Sequence, residues 1–474
     1  MVDQVFRGGE YVIEQADLVL STGKHVGLKA GSILNLTIFE DIHQFALTGQ
    51  IMIQDALNLG SYGPIIGQEY LLLKIRTPTI YDEDGVIDYS ENGLMITSVD
   101  TREDVGNGVQ ATLLSFVSRE FVVNQRTRVN RTLTGSYSDI VTQMLRKDLN
   151  SKKKLHIESS SENKKIIAPN IEPYDVIKLA LKEGVSKDDS DPTYLFFENT
   201  RGFNYRTLGN LYKGLPVINY TKSVAGTKFL NNGAYDIMAN VSNIESYTIA
   251  SSPDIIYNTT TGVYGSKLIV HDIVSKSYDT YTYNYIDNFS KERHIDNTLL
   301  PLSGPLLNAL PIIPTGENIA SFPSRQFLKP TTGRDKDLSV QDEFYQSSFT
   351  SNTPHRSLQR RASSIHMLET SLQVTLEVLG NTLIGVGDIV ECNIPHTATF
   401  KSADNNTDFD ALYSGRFLIK KLRHDFNQSN NQHKITMNLC KDNLIDSLHS
   451  PPDNFEPISS KPEKTINTDD NIGL

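Results

Sequence analysis

The sequence has no tryptophan, only two cysteines among 474 residues, and no long apolar run. No stretch reaches the roughly 18 apolar residues that a membrane-spanning helix needs. The first residues, MVDQVFRGGEYVIEQ, lack a basic segment followed by an apolar one, so we expect no signal peptide here. Two cysteines cannot form a disulfide framework, and we expect Cys392 and Cys440 to be free, buried thiols of a protein made in a reducing cytoplasm.

Motifs of catalysis and metal binding are absent as well. The chain has no H-E-x-x-H, no G-x-S-x-G and no P-loop, and its 11 histidines show no metal-ligand spacing. His424 precedes Asp425 in a strand-like run, but adjacent strand residues point to opposite faces, which favours a solvent-facing or packed histidine over a catalytic dyad. We therefore predict no catalytic residue, no metal site and no cofactor.

Two charged segments resemble binding sites, but each is better interpreted as a surface feature. Residues 404–415, DNNTDFDALYSG, alternate acidic and amide side chains as a calcium loop does. However, Phe409 occupies the position that requires Gly, and Gly415 the position that requires Glu, so an acidic hairpin loop is favoured. The lysine run at 152–154 has no interleaved aromatic residues, which indicates a solvated face rather than a nucleic-acid site.

Basic residues are in deficit, with 45 Lys and Arg against 56 Asp and Glu, for a formal net charge of -11. This balance excludes a phosphate-neutralising groove as the main function. Passing contact with DNA stays open, since an acidic wall repels the polymer and lets it slide. The alternative is that the charge merely keeps the protein soluble.

Hydrophobic periodicity predicts a mainly β protein with a small α+β portion. SILNLTIFEDI places Leu34, Leu36 and Ile38 on one strand face, and short strands separated by turn signals suit a barrel or sandwich. We predict five segments: 1–121, a first β-barrel; 122–213, an α+β domain with two helices and a hairpin; 214–369, part of a second barrel with an inserted β/helix domain and long loops; 370–449, the rest of the second barrel; 450–474, a flexible tail.

Local signals are clearest within the α+β segment. Ser136 with Asp139 three residues later predicts a capping box at the start of a helix. Pro173 suits the first turn of a second helix, and Gly184 suits the left-handed position after its end. YLFFENTRGFNYR reads as a hairpin that turns at residues 200–202.

The two β regions echo each other. LTGQIMIQDA leads to Gly67 and then YLLLKIRTP, while SLQVTLEVLG leads to Gly387 and then IVECNIP. The last strand of each region, ATLLSFVSRE and KITMNLCKD, ends in a basic-acidic pair. We interpret this as the duplication of one barrel within the chain.

Three passages resemble the baseplate hub proteins of contractile-tailed phages, whose relatives include the hub part of type VI secretion spikes. They are FVSREFVVNQRTRVNRTLTGSYSDIV (116–141), YLFFENTRGFNYRTLGNL (194–211) and IHMLETSLQVTLEVLGNTLIGVGDIVECNIP (365–395). The segments YSGRFLIKKLRHDF (413–426) and 262–289 also fit this family. The resemblance is carried by the order of these passages and covers most of residues 30–445, but not 300–360 or the tail.

The resemblance implies two tail-tube-type antiparallel β-barrels per chain and a homotrimer whose pseudo-hexameric ring links the tail tube to the central spike. Implied partners are a trimeric spike, a tube or tube-initiator protein, baseplate wedge proteins and viral DNA in transit, with assembly in the host cytoplasm and residence in the virion baseplate. As interface residues we expect strand positions and loop acids: Ile51, Ile53, Asp55, Leu57, Leu372, Val374, Leu376, Val378, Asp404 and Asp408.

Two other functions stay open from sequence. A peptidoglycan hydrolase fused to a hub is one alternative, although only residues 300–360 are left unassigned, which is short for such a domain. A β-rich receptor-binding tail protein is the other. A secretion-system hub shares the expected fold, and the sequence does not separate it from a phage hub.

Overall fold

The computed structural model describes residues 7–28, 30–55, 65–78, 85–106, 108–161, 163–223, 228–230, 235–273, 276–296, 319–331, 355–395, 409–410 and 412–444. Strands dominate these residues, and most of the strands belong to one continuous sheet. The predicted fold class, mainly β with small α+β parts, is confirmed.

The first barrel is built from strands that alternate buried apolar and exposed polar residues. Its core of aliphatic side chains also receives Phe426 from a strand near the other end of the chain. Strands β1 to β8 span Val12–Val19, His25–Gly27, Ile33–Asp41, Thr48–Asp55, Tyr70–Arg76, Val86–Asp88, Leu94–Gly106 and Val109–Ser118.

An α+β domain follows, with its own aromatic core. Strand β9 pairs with β11, and β13 lies between β10 and β12. In chain order the elements are α1 (Arg119–Arg126), β9 (Val129–Gly135), α2 (Tyr137–Gln143, extended by a π-helical turn, Met144–Asp148), β10 (Leu155–Ile157), β11 (Lys164–Ile171), α3 (Pro173–Glu183), β12 (Tyr194–Asn199), β13 (Gly202–Thr207) and α4 (Leu208–Tyr212).

The chain then enters the second barrel, leaves it for a small domain and returns. The small domain holds a three-stranded sheet, β17-β16-β18, against a helix. The elements up to this helix are β14 (Pro216–Thr221), α5 (Ile237–Val241), β15 (Ile244–Ser251), α6 (Ile255–Thr261), β16 (Gly265–Asp272), β17 (Ser277–Asn284), α7 (Tyr285–Phe289), β18 (Arg325–Thr331) and α8 (His355–Thr370). The second barrel is completed by β19 (Leu372–Leu379), β20 (Ile389–Asn393), β21 (Gly415–Asn427) and β22 (Gln432–Lys441).

Several local predictions are confirmed. The Ser136 side chain accepts from the Asp139 amide, and the Asp139 carboxylate accepts from the Ser136 amide, which is the capping box. The hairpin of β12 and β13 turns between Asn199 and Gly202, whose φ of 137° requires glycine.

Two local predictions are wrong. Gly184 ends α3 with φ -66° and ψ 139°, an extended conformation rather than a left-handed one. It is glycine because a Cβ here would lie 2.6 Å from the Ala180 carbonyl oxygen and 2.7 Å from the Tyr205 hydroxyl. Leu34 does not share the face of Leu36, because a bulge after Ile33 turns Ile33 into the core instead.

Both cysteines are free and buried, as expected. Cys392 lies on β20 and Cys440 on β22, on opposite sides of β21, so they do not face each other across adjacent strands. Burial raises the pKa of Cys440 to about 12 and that of Cys392 further still. Both thiols are therefore poor nucleophiles.

A buried ionic cluster fastens the α+β domain to the first barrel. Lys153 Nζ lies 2.7 Å from Glu120 Oε2 and 2.6 Å from Glu198 Oε1, and all three side chains are almost completely buried. Glu198 also accepts the backbone amide of Leu47, in the loop before β4, at 3.1 Å. The prediction that the lysine run is a solvated face is thus wrong for its middle residue, which ties together α1, β12 and the barrel.

The single lysine does not compensate both carboxylates equally, because burial, with repulsion from Glu120, raises the pKa of Glu198 despite the attraction of Lys153. Burial acts to raise the pKa of Glu120, but attraction and hydrogen bonding from Lys153 outweigh it and the pKa is lowered. Burial likewise acts to lower the pKa of Lys153, and the two carboxylates together raise it. Removing one member of such a cluster leaves uncompensated buried charge.

We predict that Lys153→Met lowers the free energy of unfolding by about 3–5 kcal/mol, because it leaves Glu120 and Glu198 without their cation. The urea midpoint of the first unfolding transition measures this. The matched control is Lys152→Met, at the exposed neighbouring position, which should change stability by less than about 0.5 kcal/mol. Equal stability of the two variants would show that the cluster does not hold the domains together.

Candidate assembly interface

Eight long strands of the two barrels form one continuous antiparallel run, called here the central sheet. Its order is β15-β19-β22-β21-β3-β4-β8-β7. The first four strands come from the second barrel and the last four from the first. The two halves meet in the joint between β21 and β3, where the register runs from Lys421 opposite Asp41 to Asn427 opposite Asn35.

The two halves of the central sheet are copies of one unit. In the first barrel the order β3-β4-β8-β7-β5 is antiparallel throughout, and β15-β19-β22-β21-β20 repeats it in the second. Phe116 of β8 and Leu439 of β22, called here the anchor pair, face Ile96 and Ile419 respectively. The duplication expected from sequence is present in the topology.

Two strand irregularities recur in both halves, while β7 has two further ones and β15 one further one without a counterpart. A bulge follows Ile33 in β3 and Ile244 in β15. Another follows Ile96 in β7 and Ile419 in β21. The turn glycines before β5 and β20, Gly67 and Gly387, have φ angles of 90° and 89°. Because bulges are local features of a strand, their coincidence extends the duplication to single residues.

One face of the central sheet covers the barrel cores, and the opposite face, called here the polar face, carries hydroxyl, amide and charged groups. Several charges on it are paired, Lys421 with Asp41 at 3.0 Å and Lys434 with Glu245 at 2.8 Å, while Glu377 accepts a hydrogen bond from the Ser246 hydroxyl at 2.8 Å. Residues of this face include Thr37, Gln50, Ser115, Thr375, Glu377, Arg423, Asp425, Thr436 and Asn438.

Behind the joint, Glu40 holds three parts of the chain together. Its two carboxylate oxygens accept the backbone amides of Thr200, at 2.8 Å, and Val386, at 2.7 Å. These amides belong to the β12–β13 turn and the turn before β20. Complete burial, opposed by these hydrogen bonds, raises the pKa of Glu40 to about 7. Arg201 in the same turn pairs with Asp388.

Two histidines lie on the core side of the joint. His424 Nδ1 is 3.0 Å from His433 Nε2, and the His433 ring stacks on Phe426 with centroids 4.0 Å apart. His424 Nε2 lies 4.0 Å from the Glu40 carboxylate. Burial lowers the pKa of His424 to about 3 and that of His433 well below its usual value. Both rings are therefore neutral, and His424 is packed, which is one of the two placements left open by the sequence.

The expected interface residues lie in the middle of the central sheet rather than at its edges. The side chains of six of them are buried in the barrel cores: Ile51, Ile53, Leu372, Val374, Leu376 and Val378. Strands β4 and β19 each pair on both sides. Asp55 ends β4 and is buried, while Leu57, Asp404 and Asp408 lie outside the described residues. As an interface these residues remain a prediction.

The described residues contain no group of three or more His, Cys, Asp or Glu side chains placed to hold a metal ion. Within the same ranges, none of the helices has both the length and the apolar character to cross a membrane. The buried ionisable groups around Glu40 and Lys153 have partners within the fold.

No family model and no curated protein matches the chain. Among solved structures, it is similar to a tail protein from Neisseria meningitidis MC58, with 11% identity and a TM-score of 0.49 over 91% of this chain and 97% of that one. The 43 kDa tail protein of prophage MuSo2 from Shewanella oneidensis has 8% identity and a TM-score of 0.46 over 90% and 98%. The E. coli c3393 protein, a component of the type VI secretion system, has 8% identity and a TM-score of 0.40 over 93% and 79%.

The buried histidine pair predicts a specific loss of stability in acid. The unfolded chain binds a proton at each histidine below about pH 6.5, whereas the folded chain does not until about pH 3 for His424. The two histidines therefore contribute a loss of folding stability on the order of 3 kcal/mol between pH 7.5 and 5.5. Glu40 acts in the opposite direction, since its raised pKa favours the folded state at lower pH.

The double variant His424→Phe/His433→Phe removes both rings together, so neither is left without its partner. We expect its urea midpoint to fall less between pH 7.5 and 5.5 than that of the wild type. The control is His271→Phe at an exposed position, which should keep the wild-type profile. Parallel profiles for all three proteins would contradict the assignment.

Proposed function

We propose that the chain is a structural baseplate hub subunit of a contractile phage tail. Its homotrimer forms a ring between the six-fold tail tube and the three-fold central spike. The observation that carries the proposal is the duplicated unit joined edge to edge through β21 and β3. Three chains, each with two copies of one unit, present six similar units in a closed ring.

The polar face suits the inner wall of such a ring. Three of its cations have carboxylate partners: Lys421 pairs with Asp41, Lys434 with Glu245 and Arg423 with Asp425. A wall of hydroxyls, amides and neutralised charges offers DNA no array of unpaired cations to bind. The ring therefore continues the bore of the tube and lets viral DNA pass.

The proposed role is mechanical rather than catalytic. The most strongly perturbed ionisable groups at the joint and the domain seam serve the fold: Glu40 fixes two turns, and Lys153 fixes the α+β domain to the first barrel. Perturbed groups of this kind are expected in structural ion networks as well as active sites. The ring holds the spike at the tip of the tail, contacts the tube or its initiator and the wedge proteins, and is assembled in the host cytoplasm.

Permanent contacts of this type bury on the order of 2,000 Å² or more each. We therefore expect light scattering to give a mass near three times 53.0 kDa for the purified chain, independent of concentration in the micromolar range. Addition of the trimeric spike protein of the same phage should give one complex of one trimer with one trimer.

A receptor-binding tail protein serves as the comparison in the same experiment. A chain that stays monomeric, forms no complex with spike or tube protein and binds host cells by itself would refute the hub proposal. Zymography on cell walls checks the non-catalytic role, for which no clearing is expected.

A further inference from the structure

Both ends of the central sheet are unpaired strand edges in the described part of the chain. Strand β15 pairs with β19 on one side only. Strand β7 pairs with β8 along its length, but with β5 only at Leu94 and Met95. From Thr97 to Gly106 its residues are exposed on both faces. Long exposed edges of this kind invite pairing with another chain.

The repeated unit indicates that the free edges of β7 and β15 are partners. Strand β7 is the copy of β21, and β15 is the copy of β3, by their places in the repeated unit. Within the chain β21 pairs with β3 to form the joint. We propose that β7 of one subunit pairs with β15 of a second copy of this chain, in the register of the joint. This inference rests on the proposed ring and specifies how that ring closes.

The position of β7 in this pairing follows from its partner strand. Arg102 faces Thr112 of β8, and His424 faces Ile435 of β22. Thr112 and Ile435 each lie four residues before the anchor residue of their strand. Arg102 therefore occupies in β7 the place of His424 in β21.

The position of β15 follows in the same way. Ile249 faces Val374 of β19, and Ile38 faces Gly49 of β4. Val374 and Gly49 each face the anchor residue of their own barrel. Ile249 therefore occupies in β15 the place of Ile38 in β3.

Since His424 faces Ile38 in the joint, Arg102 faces Ile249 of the neighbouring subunit. The next pair along the antiparallel ladder is Glu103 with Thr248. The following pair, Asp104 with Tyr247, reaches the end of the β7–β8 arm.

The side chains at the matched positions agree with this register. In the joint, the Thr37 hydroxyl donates to the Asp425 carboxylate at 3.0 Å across the two strands. Thr248 and Glu103 stand at the matching positions, so a threonine again faces a carboxylate. Ile249 is 40% exposed in the single chain, and pairing covers apolar surface that is otherwise in water.

Cysteine cross-linking tests the register directly. Residues opposite each other in an antiparallel pair have Cβ atoms about 4.5–5.5 Å apart, which is close enough for a disulfide after a small adjustment. We expect the variant Glu103→Cys/Thr248→Cys, oxidised as an intact assembly, to run as a covalent trimer without reductant. Wild type is the background control, since Cys392 and Cys440 are buried.

A variant with the second cysteine shifted by one residue tests whether cross-linking requires the proposed register or only the proximity of the two strands. In Glu103→Cys/Ile249→Cys the second thiol lies one position along and on the opposite face, so the yield should fall at least several-fold. A chain carrying only Glu103→Cys, mixed before assembly with a chain carrying only Thr248→Cys, should give covalent dimers, while neither chain does so alone. These exposed single substitutions also test the contact should the double variant fold poorly.

The outcomes separate the two proposals. If light scattering gives a trimer and neither the matched pair nor the mixture cross-links, the strand register is overturned while the hub proposal stands. Stronger linking in the variant with the shifted cysteine also overturns the register. A protein that stays monomeric and does not cross-link would remove the ring itself.

Discussion

The structure depends on one act of strand pairing, the antiparallel joint between β3 and β21. It brings together residues almost four hundred positions apart, such as Thr37 and Asp425. Without it the chain is two separate barrels, each with an unpaired edge. With it, the central sheet is continuous and the first core is completed by Phe426, a side chain of the second barrel. Long-range pairing of this kind has an entropic cost during folding, and it fixes the relation of the two halves.

Buried ionisable groups stabilise the contacts between domains that strand pairing does not make. Glu40 binds backbone amides from two turns, and Lys153 binds carboxylates from α1 and β12. At such a contact between domains, apolar side chains can shift relative to one another at little cost. A buried charge, in contrast, is stable only when its own partners are present. Such groups therefore define one arrangement of the domains, at the cost of sensitivity to pH or to the loss of one partner.

The sequence predicts best what is determined locally. The capping box of Ser136 needs only three neighbouring residues, and the turn at Gly202 needs only a glycine between two apolar runs. The repeated unit was also recognisable, because its turn glycines and strand patterns recur at matching intervals. The bulge after Ile33 was not, since alternation continues through it and only the partner strand decides which residue is extra.

A long-range partner explains the error at Lys153. Lys153 belongs to an apparently solvated run, and its burial depends on Glu120 and Glu198, which lie 33 and 45 residues away. Six of the expected interface residues are regular apolar strand positions whose side chains lie in the cores, and their role as an interface stays a prediction. Strand β7 differs from them, since from Thr97 to Gly106 it has strand-like length with almost no apolar face.

The two copies of the repeated unit differ at their outer strands. In the first barrel β5 has an antiparallel neighbour, β1, whereas in the second β20 has a parallel one, β14. The strands that build the central sheet have kept one pattern, and the periphery has diverged. The two halves of the chain thus present near-equivalent strands in the central sheet but different neighbours at its outer strands. In the proposed ring, this difference would distinguish alternate positions around the axis while the inner strands stay alike.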